Sequence, residues 1–375
     1  MKFIQVQSLS EITLLNVAVA VCNNFEDCLP DMPAKMETMS CIFDHWFLTV
    51  CDKCLNRIRE MASTLQLPKE LQTKVAALCK HVYLQMCMWN GSLVQIHSRL
   101  VPDFVPRCSC LDQVDFRRYY EWKSIGIIDE KKTVKNLLHD ERLDVHFRFV
   151  MACYVCSEND VMSLWEIMPE IIKIAIRKFT CTSLPLISFW LKRLDKAADL
   201  RDEIVNVIRS FGGNHSAFDC VVNNVTLLQY LLQNHLYDLR KECLRDVACR
   251  ISKCHQITRF CLFEMDVEEQ KIIFQKSSVE VLRSFLEWPW QRHFMKIAHS
   301  MFAFLQESDF FVLIIELKCK IVYQWRDYDY EGLLTEFLKH SPTHLKEYIK
   351  NKKELLSEFM ARRLKNDVDD FDLDL

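Results

Sequence analysis

Asp329-Tyr330-Glu331-Gly332-Leu333-Leu334-Thr335-Glu336-Phe337-Leu338 decides the fold class. A small acidic residue opens the stretch, and apolar residues return at 330, 333, 334, 337 and 338. That is the i, i+3, i+4, i+7 spacing of one helix face. An aspartate at the head can accept a bond from an otherwise unpaired N–H of the first turn. The same design recurs upstream in Asn159-Asp160-Val161-Met162-Ser163-Leu164-Trp165, in the stretch from Ser183 to Leu191, in Asn224-Val225-Thr226-Leu227-Leu228-Gln229-Tyr230-Leu231-Leu232, and from Ser278 to Leu286. Companion helices are expected at 143–155, 240–251 and 293–305. One helical hairpin cannot bury its apolar face alone, so neighbouring hairpins must stack.

Composition agrees. Five glycines and nine prolines in 375 residues are too few for hairpin turns or phosphate loops. Half the chain is hydrophobic, so a large core is available. A net charge of −3 with both signs dispersed argues against general nucleic-acid affinity. No apolar run is long enough to cross a bilayer. The stretch 12–22 is short and follows Glu11, so it is expected to be a helix rather than a secretory leader. Eighteen cysteines scattered through apolar helical runs point to buried thiols in a reducing, cytoplasmic setting.

The expected fold is all-α: stacked antiparallel helix hairpins, with an irregular globular helical domain as the alternative. The expected organisation is a helical N-terminal region at 1–106, a helical-hairpin repeat body at 107–365, and a disordered acidic tail at 366–375. Pro102 and Pro106 mark the linker, since both disfavour helix around them. The polar openers at 159, 183, 224, 278 and 329 are 24, 41, 54 and 51 residues apart. Ankyrin arrays repeat every ~33 residues and HEAT-type hairpins every ~40–47, so neither period holds strictly.

The stretches 224–234 and 329–340 resemble the second helix of divergent ankyrin repeats, without the Thr-Pro-Leu-His turn. Arg117-Arg118-Tyr119-Tyr120-Glu121-Trp122-Lys123-Ser124-Ile125-Gly126, with Asp140-Glu141-Arg142-Leu143-Asp144-Val145, resembles ankyrin-like helical proteins of arthropods. That resemblance implies a helical-repeat fold and carries no activity with it. Ser8-Leu9, Thr13 and Val17 resemble the elongin-binding box of ubiquitin-ligase adaptors, with threonine where the family places a smaller residue. The second likeness implies an adaptor that brings substrates to a ligase.

Chemistry-bearing patterns are weak. Cys51/Cys54 and Cys153/Cys156 are both C-x-x-C pairs, Cys108 and Cys110 lie close, and Cys254-His255 is followed by Cys261. The pairs fall in helical runs, where i and i+3 share a face as ordinary core positions do. No metal and no cofactor are therefore expected. Walker loops, G-x-S-x-G, G-x-G-x-x-G and H-E-x-x-H are absent, so no catalytic residue is assigned. His139, Asp140, Glu141 and His146 gather titratable groups, and on a helix His139 and His146, seven apart, could share a face. Phe116, Arg117, Arg118, Tyr119, Tyr120, Trp122 and Lys123 interleave bases with aromatics. They are read either as a helix capping the first repeat or as a protein interface, since Tyr, Trp and Arg dominate binding hot spots. The leading expectation is a non-enzymatic scaffold or adaptor that grips a protein partner, with no nucleic acid and no membrane involved. A ubiquitin-ligase adaptor and an enzyme with an unrecognised site are the alternatives.

Overall fold

A computed structural model of the chain describes residues 8–24, 56–100, 110–183, 185–196, 200–210, 225–234, 243–245, 247–248 and 255–369. The C-x-x-C pair at 51 and 54, Cys108, Cys254 and the linker prolines 102 and 106 lie outside the described residues.

Helices dominate, and among the described residues no strand occurs; the β-pairing seen there is an isolated bridge between Trp122 and Ile128. Helix α1 (Leu9–Asn23) opens on a capping box: Ser8 accepts from the Glu11 amide while the Glu11 carboxylate accepts from the Ser8 amide. After a helix at 56–63 (α2), Pro68 precedes α3 (Lys69–Leu100), a helix of 32 residues that packs along α1. Next come α4 (Glu130–Leu137), α5 (Val145–Tyr154), α6 (Glu158–Ile167), α7 (Glu170–Ser183), α8 (Pro185–Leu194), α9 (Arg201–Ser210) and α10 (Val225–Asn234). The C-terminal half holds α11 (His255–Glu264), α12 (Val267–Lys276), α13 (Ser278–Ser284), α14 (Phe294–Met301), α15 (Glu307–Val322), α16 (Tyr330–His340), α17 (Thr343–Asn351) and α18 (Lys353–Asp369).

Most helix contacts join sequence neighbours or next-but-one helices, as α5 with α6, α11 with α13, α13 with α15, and α15 with α16 and α17; α5 also reaches α8, three along. The opening stretch behaves as its sequence predicts. Asp329 accepts from the Gly332 amide at 2.9 Å, and Tyr330, Leu333 and Phe337 are buried. Phe337 lies 5.1 Å from Phe294, 4.9 Å from Phe310 and 5.7 Å from Phe302 between ring centroids, within the range of favourable aromatic pairs.

Glycine scarcity shows at the helix ends. Where glycine usually sits, Cys156, Lys196 and Gln324 adopt left-handed φ of 53°, 54° and 53°. After α15 the Trp325 amide bonds Lys320 O and the Gln324 amide bonds Ile321 O, the two bonds of a Schellman ending. A side chain in this region costs about 1–2 kcal/mol, which packing around the turn must offset.

Three expectations need correction. The segment from Phe116 is not a helix: a single 3-10 turn (Phe116–Tyr119) is followed by a hairpin-like reversal at Gly126, φ +74°. A Cβ at Gly126 would also sit 2.7 Å from Leu15 of α1, so the reversal packs too closely for a larger residue. Likewise, the chain from 138 to 144 turns rather than continuing α4, so His139 and His146 do not share a helix face. Finally, α18 runs to Asp369, four residues into the stretch expected to be a disordered tail. No glycine or proline interrupts it after Lys353, so nothing local ends the helix earlier.

Candidate functional site

The longest helix carries the N-terminal region onto the C-terminal half. From α3, Lys80 places its ammonium 4.2 Å from the Trp325 ring, and Lys320 of α15 approaches the same ring at 4.1 Å. Trp325 is thus held by two cations, an attraction that strengthens when water is excluded. His81 lies 6.4 Å from Trp288 and shares a 3.0 Å hydrogen bond with Gly126 O. Arg292 reaches Glu11 of α1 at 3.2 Å. These contacts border a cleft of about 570 Å³ lined by Ser10, Leu14, Lys74, Trp288, Trp325 and Tyr328, among others.

The basic–aromatic segment is mostly committed to its own fold. Arg117 pairs with Asp115 at 2.8 Å. Tyr119 donates to Asp140 at 2.6 Å, and Arg142 grips the same carboxylate with two bonds of 3.0 and 2.7 Å. Those bonds, Arg142 foremost and Tyr119 next, hold the Asp140 carboxyl well below the usual carboxylate range. Tyr120 is buried and donates to Asn90 of α3, while Phe116 and Trp122 pack against the core. Arg118 and Lys123 remain exposed. The segment thus presents Arg118 and Lys123 fully and Phe116, Arg117, Tyr119 and Trp122 in part, while Tyr120 is withdrawn against α3.

In α1, Ser8, Leu9 and Thr13 are exposed and Val17 is half-buried, while Leu15, Ala18, Val21 and Cys22 face α3. Thr13 Oγ1 donates back to Leu9 O at 2.8 Å. Leu9 is 80% exposed, the highest value among the exposed large hydrophobics. The next three are Ile171 at 78%, Ile167 at 66% and Ile174 at 58%, all at the α6–α7 corner. Beside them Lys173 and Arg177 of α7 lie over the Trp165 ring at 5.7 and 5.2 Å.

Cys153 and Cys156 are buried thiols within the α5 core, and burial pushes both up, Cys156 to about 12. A thiol held protonated is a poor nucleophile and a poor ligand. His255, Arg259 and Glu287 form an ion cluster at 2.6 and 3.0 Å that joins α11 to the end of α13 and explains the low Glu287 carboxyl: burial opposes ionisation, and the two cations overcome it.

A polar cluster that no motif announces lies where α3 ends. His97, Cys110 and Asp144 bring one donor atom each to within 4.8 Å of one another, and Cys110 Sγ is 3.2 Å from His97 Nε2. Their separations of 13 and 34 residues match no ligand spacing, so only the tertiary structure brings them together. Burial, and for His97 the neighbouring His146, pushes both imidazoles below their ordinary range.

Among the described residues no helix is long and apolar enough to cross a membrane. No protein family, no curated protein and no solved structure matches this chain.

Proposed function

We propose that the chain is a non-catalytic scaffold or adaptor that binds another protein through the surface of its stacked helix pairs. The observation that carries this reading is the cluster of exposed isoleucines at 167, 171 and 174. Exposed apolar side chains gathered in one place mark interaction sites, whereas scattered ones need no explanation. The next-but-one packing of α11, α13, α15 and α17 supports a stacked-hairpin body. A cytoplasmic setting belongs to the same proposal, supported by the buried thiols Cys22, Cys79, Cys153 and Cys156.

Affinity capture from the native cell with the wild-type chain and with Ile171→Asp/Ile174→Asp tests it. The wild type is expected to retain a recurrent partner that the variant loses, while far-ultraviolet circular dichroism and Tm stay unchanged. Equal capture by both chains, or a bound small molecule and no protein, overturns the reading.

A second reading keeps the ligase-adaptor resemblance. Leu9 is 80% exposed and so stands ready for a partner's pocket. Co-purification with elongin, lost in Leu9→Ala, would favour it; no elongin in the wild-type capture removes it.

A further inference from the structure

We propose that His97, Cys110, Asp144 and His146 form a zinc-type metal site that ties the end of α3 to the start of α5. His97 comes from the last turn of α3, Cys110 opens the 3-10 turn Cys110–Gln113, and Asp144 and His146 flank the first residue of α5. The chain thus supplies one sulfur, one carboxylate and two imidazoles, a donor set that suits zinc, which takes four such ligands.

Three observations carry the assignment. The donor atoms of His97, Cys110 and Asp144 already converge within 4.8 Å. A tetrahedral zinc with bonds of about 2.3 Å to sulfur and 2.0–2.1 Å to nitrogen separates those two atoms by roughly 3.6 Å. The observed Cys110–His97 distance of 3.2 Å is a few tenths shorter.

Second, His146 is 3% exposed and its Nε2 is buried with no hydrogen-bond partner among the described residues. Burying an imidazole nitrogen without a partner is costly, and native cores rarely leave one so. Its ring centroid is 6.4 Å from that of His97, and its nitrogens lie outside the group of donors that converge within 4.8 Å, so the His146 side chain has to turn inward to become the fourth ligand.

Third, Asp144 stands at the N-cap position of α5, and one of its carboxylate oxygens lies in the cluster with His97 and Cys110.

Charge balance is favourable too. One thiolate and one carboxylate neutralise a divalent cation, and the two imidazoles bind as neutral donors, so the filled site carries no net charge into the core. Filled, it closes the connection between α3 and α5 much as a disulfide would. The role is structural and independent of the protein-binding reading.

The full-length chain, stripped with a chelator and titrated with Co²⁺ as a spectroscopic stand-in and then with Zn²⁺, tests the site. Expected are one ion per chain, a thiolate-to-cobalt charge-transfer band, and a higher Tm with Zn²⁺ than after chelation. Cys110→Ser and His97→Gln should each weaken binding by more than the about 10–100-fold that loss of an outer partner costs. Asp144→Asn gives the same reading should Cys110→Ser not fold. Cys51→Ser/Cys54→Ser should leave the band intact. Absence of a stoichiometric ion in the wild type, survival of the band in Cys110→Ser, or its loss with Cys51 and Cys54 would overturn the proposal.

Discussion

The segment 110–144 and the segment 278–345 are held together by different physics. In the second, helices α13 to α17 meet through rings and aliphatic side chains: Phe294, Phe310, Leu313, Leu317, Phe337 and Leu345 are all fully buried. In the first, much of the backbone is not helical, and named polar contacts fix it. Thr133 Oγ1 accepts from the Glu121 amide, Asp129 N bonds Glu121 O, and Asp140 gathers Tyr119 and Arg142. Apolar contacts are non-directional and forgive small errors, so periodicity alone is enough to specify them. A hydrogen bond needs its partner at one distance and angle, and that partner can lie anywhere in the sequence.

The comparison can be broken most forcefully at the centre of the aromatic cluster. Phe337→Ala removes a ring that three others touch and leaves a cavity, for which a loss of about 3–5 kcal/mol is expected. Urea denaturation of the two chains measures it. A loss under about 1 kcal/mol would mean that the C-terminal pairs do not share one packed core.

Glu130 probes the polar segment. Burial, only partly offset by Lys123 and by Tyr154, pushes its carboxyl up to about 7 from an ordinary value of 4.5. The folded state therefore holds a proton that the unfolded state has released between these two values. Stability is higher below pH 4.5, falls as pH rises through the window, and is fully penalised above pH 7. Glu130→Gln removes the penalty. Relative to wild type it should gain on the order of 2–3 kcal/mol at pH 8 and almost nothing at pH 4.5. Thermal melts of both chains at the two pH values decide it, and a gain independent of pH would show that charge is not the cause.

The smallest effects come from a reciprocal pair of swaps. Gly126→Ala places a side chain at φ +74° against Leu15 and should cost about 1–2 kcal/mol. Gln324→Gly relieves a left-handed glutamine at an exposed helix end and should gain about 0.5–1 kcal/mol. Shifts of opposite sign in Tm sharpen the contrast: glycine is required in the polar segment and merely missing at the helix ends.

Legibility in the sequence follows the same division. The helices opening at 225, 278 and 330 were readable because one apolar stripe and one polar opener suffice to mark each. The ends of α5, α8 and α15 were not, since the usual glycine signal is replaced by Cys156, Lys196 and Gln324. The aromatics of 116–122 were recognised as notable, but their burial against α3 depends on Asn90, which is 30 residues before Tyr120. Cys110 and His146 stood out in the sequence only within other groupings; nothing linked them to His97 and Asp144, because the four come from three elements with no common period.

By itself, then, the order of residues determined that this chain is helical, that its helices carry one oily face, and that the thiols among its described residues are largely buried. Solvent exclusion along a 3.6-residue period acts within each segment and needs no knowledge of the rest. Tertiary structure alone decided that α1 and α3 lie against the Trp288 and Trp325 turns, which isoleucines stay outside, and which imidazoles and thiol meet. Those outcomes depend on how the helices are finally placed, and a side chain's distant neighbours are not written beside it.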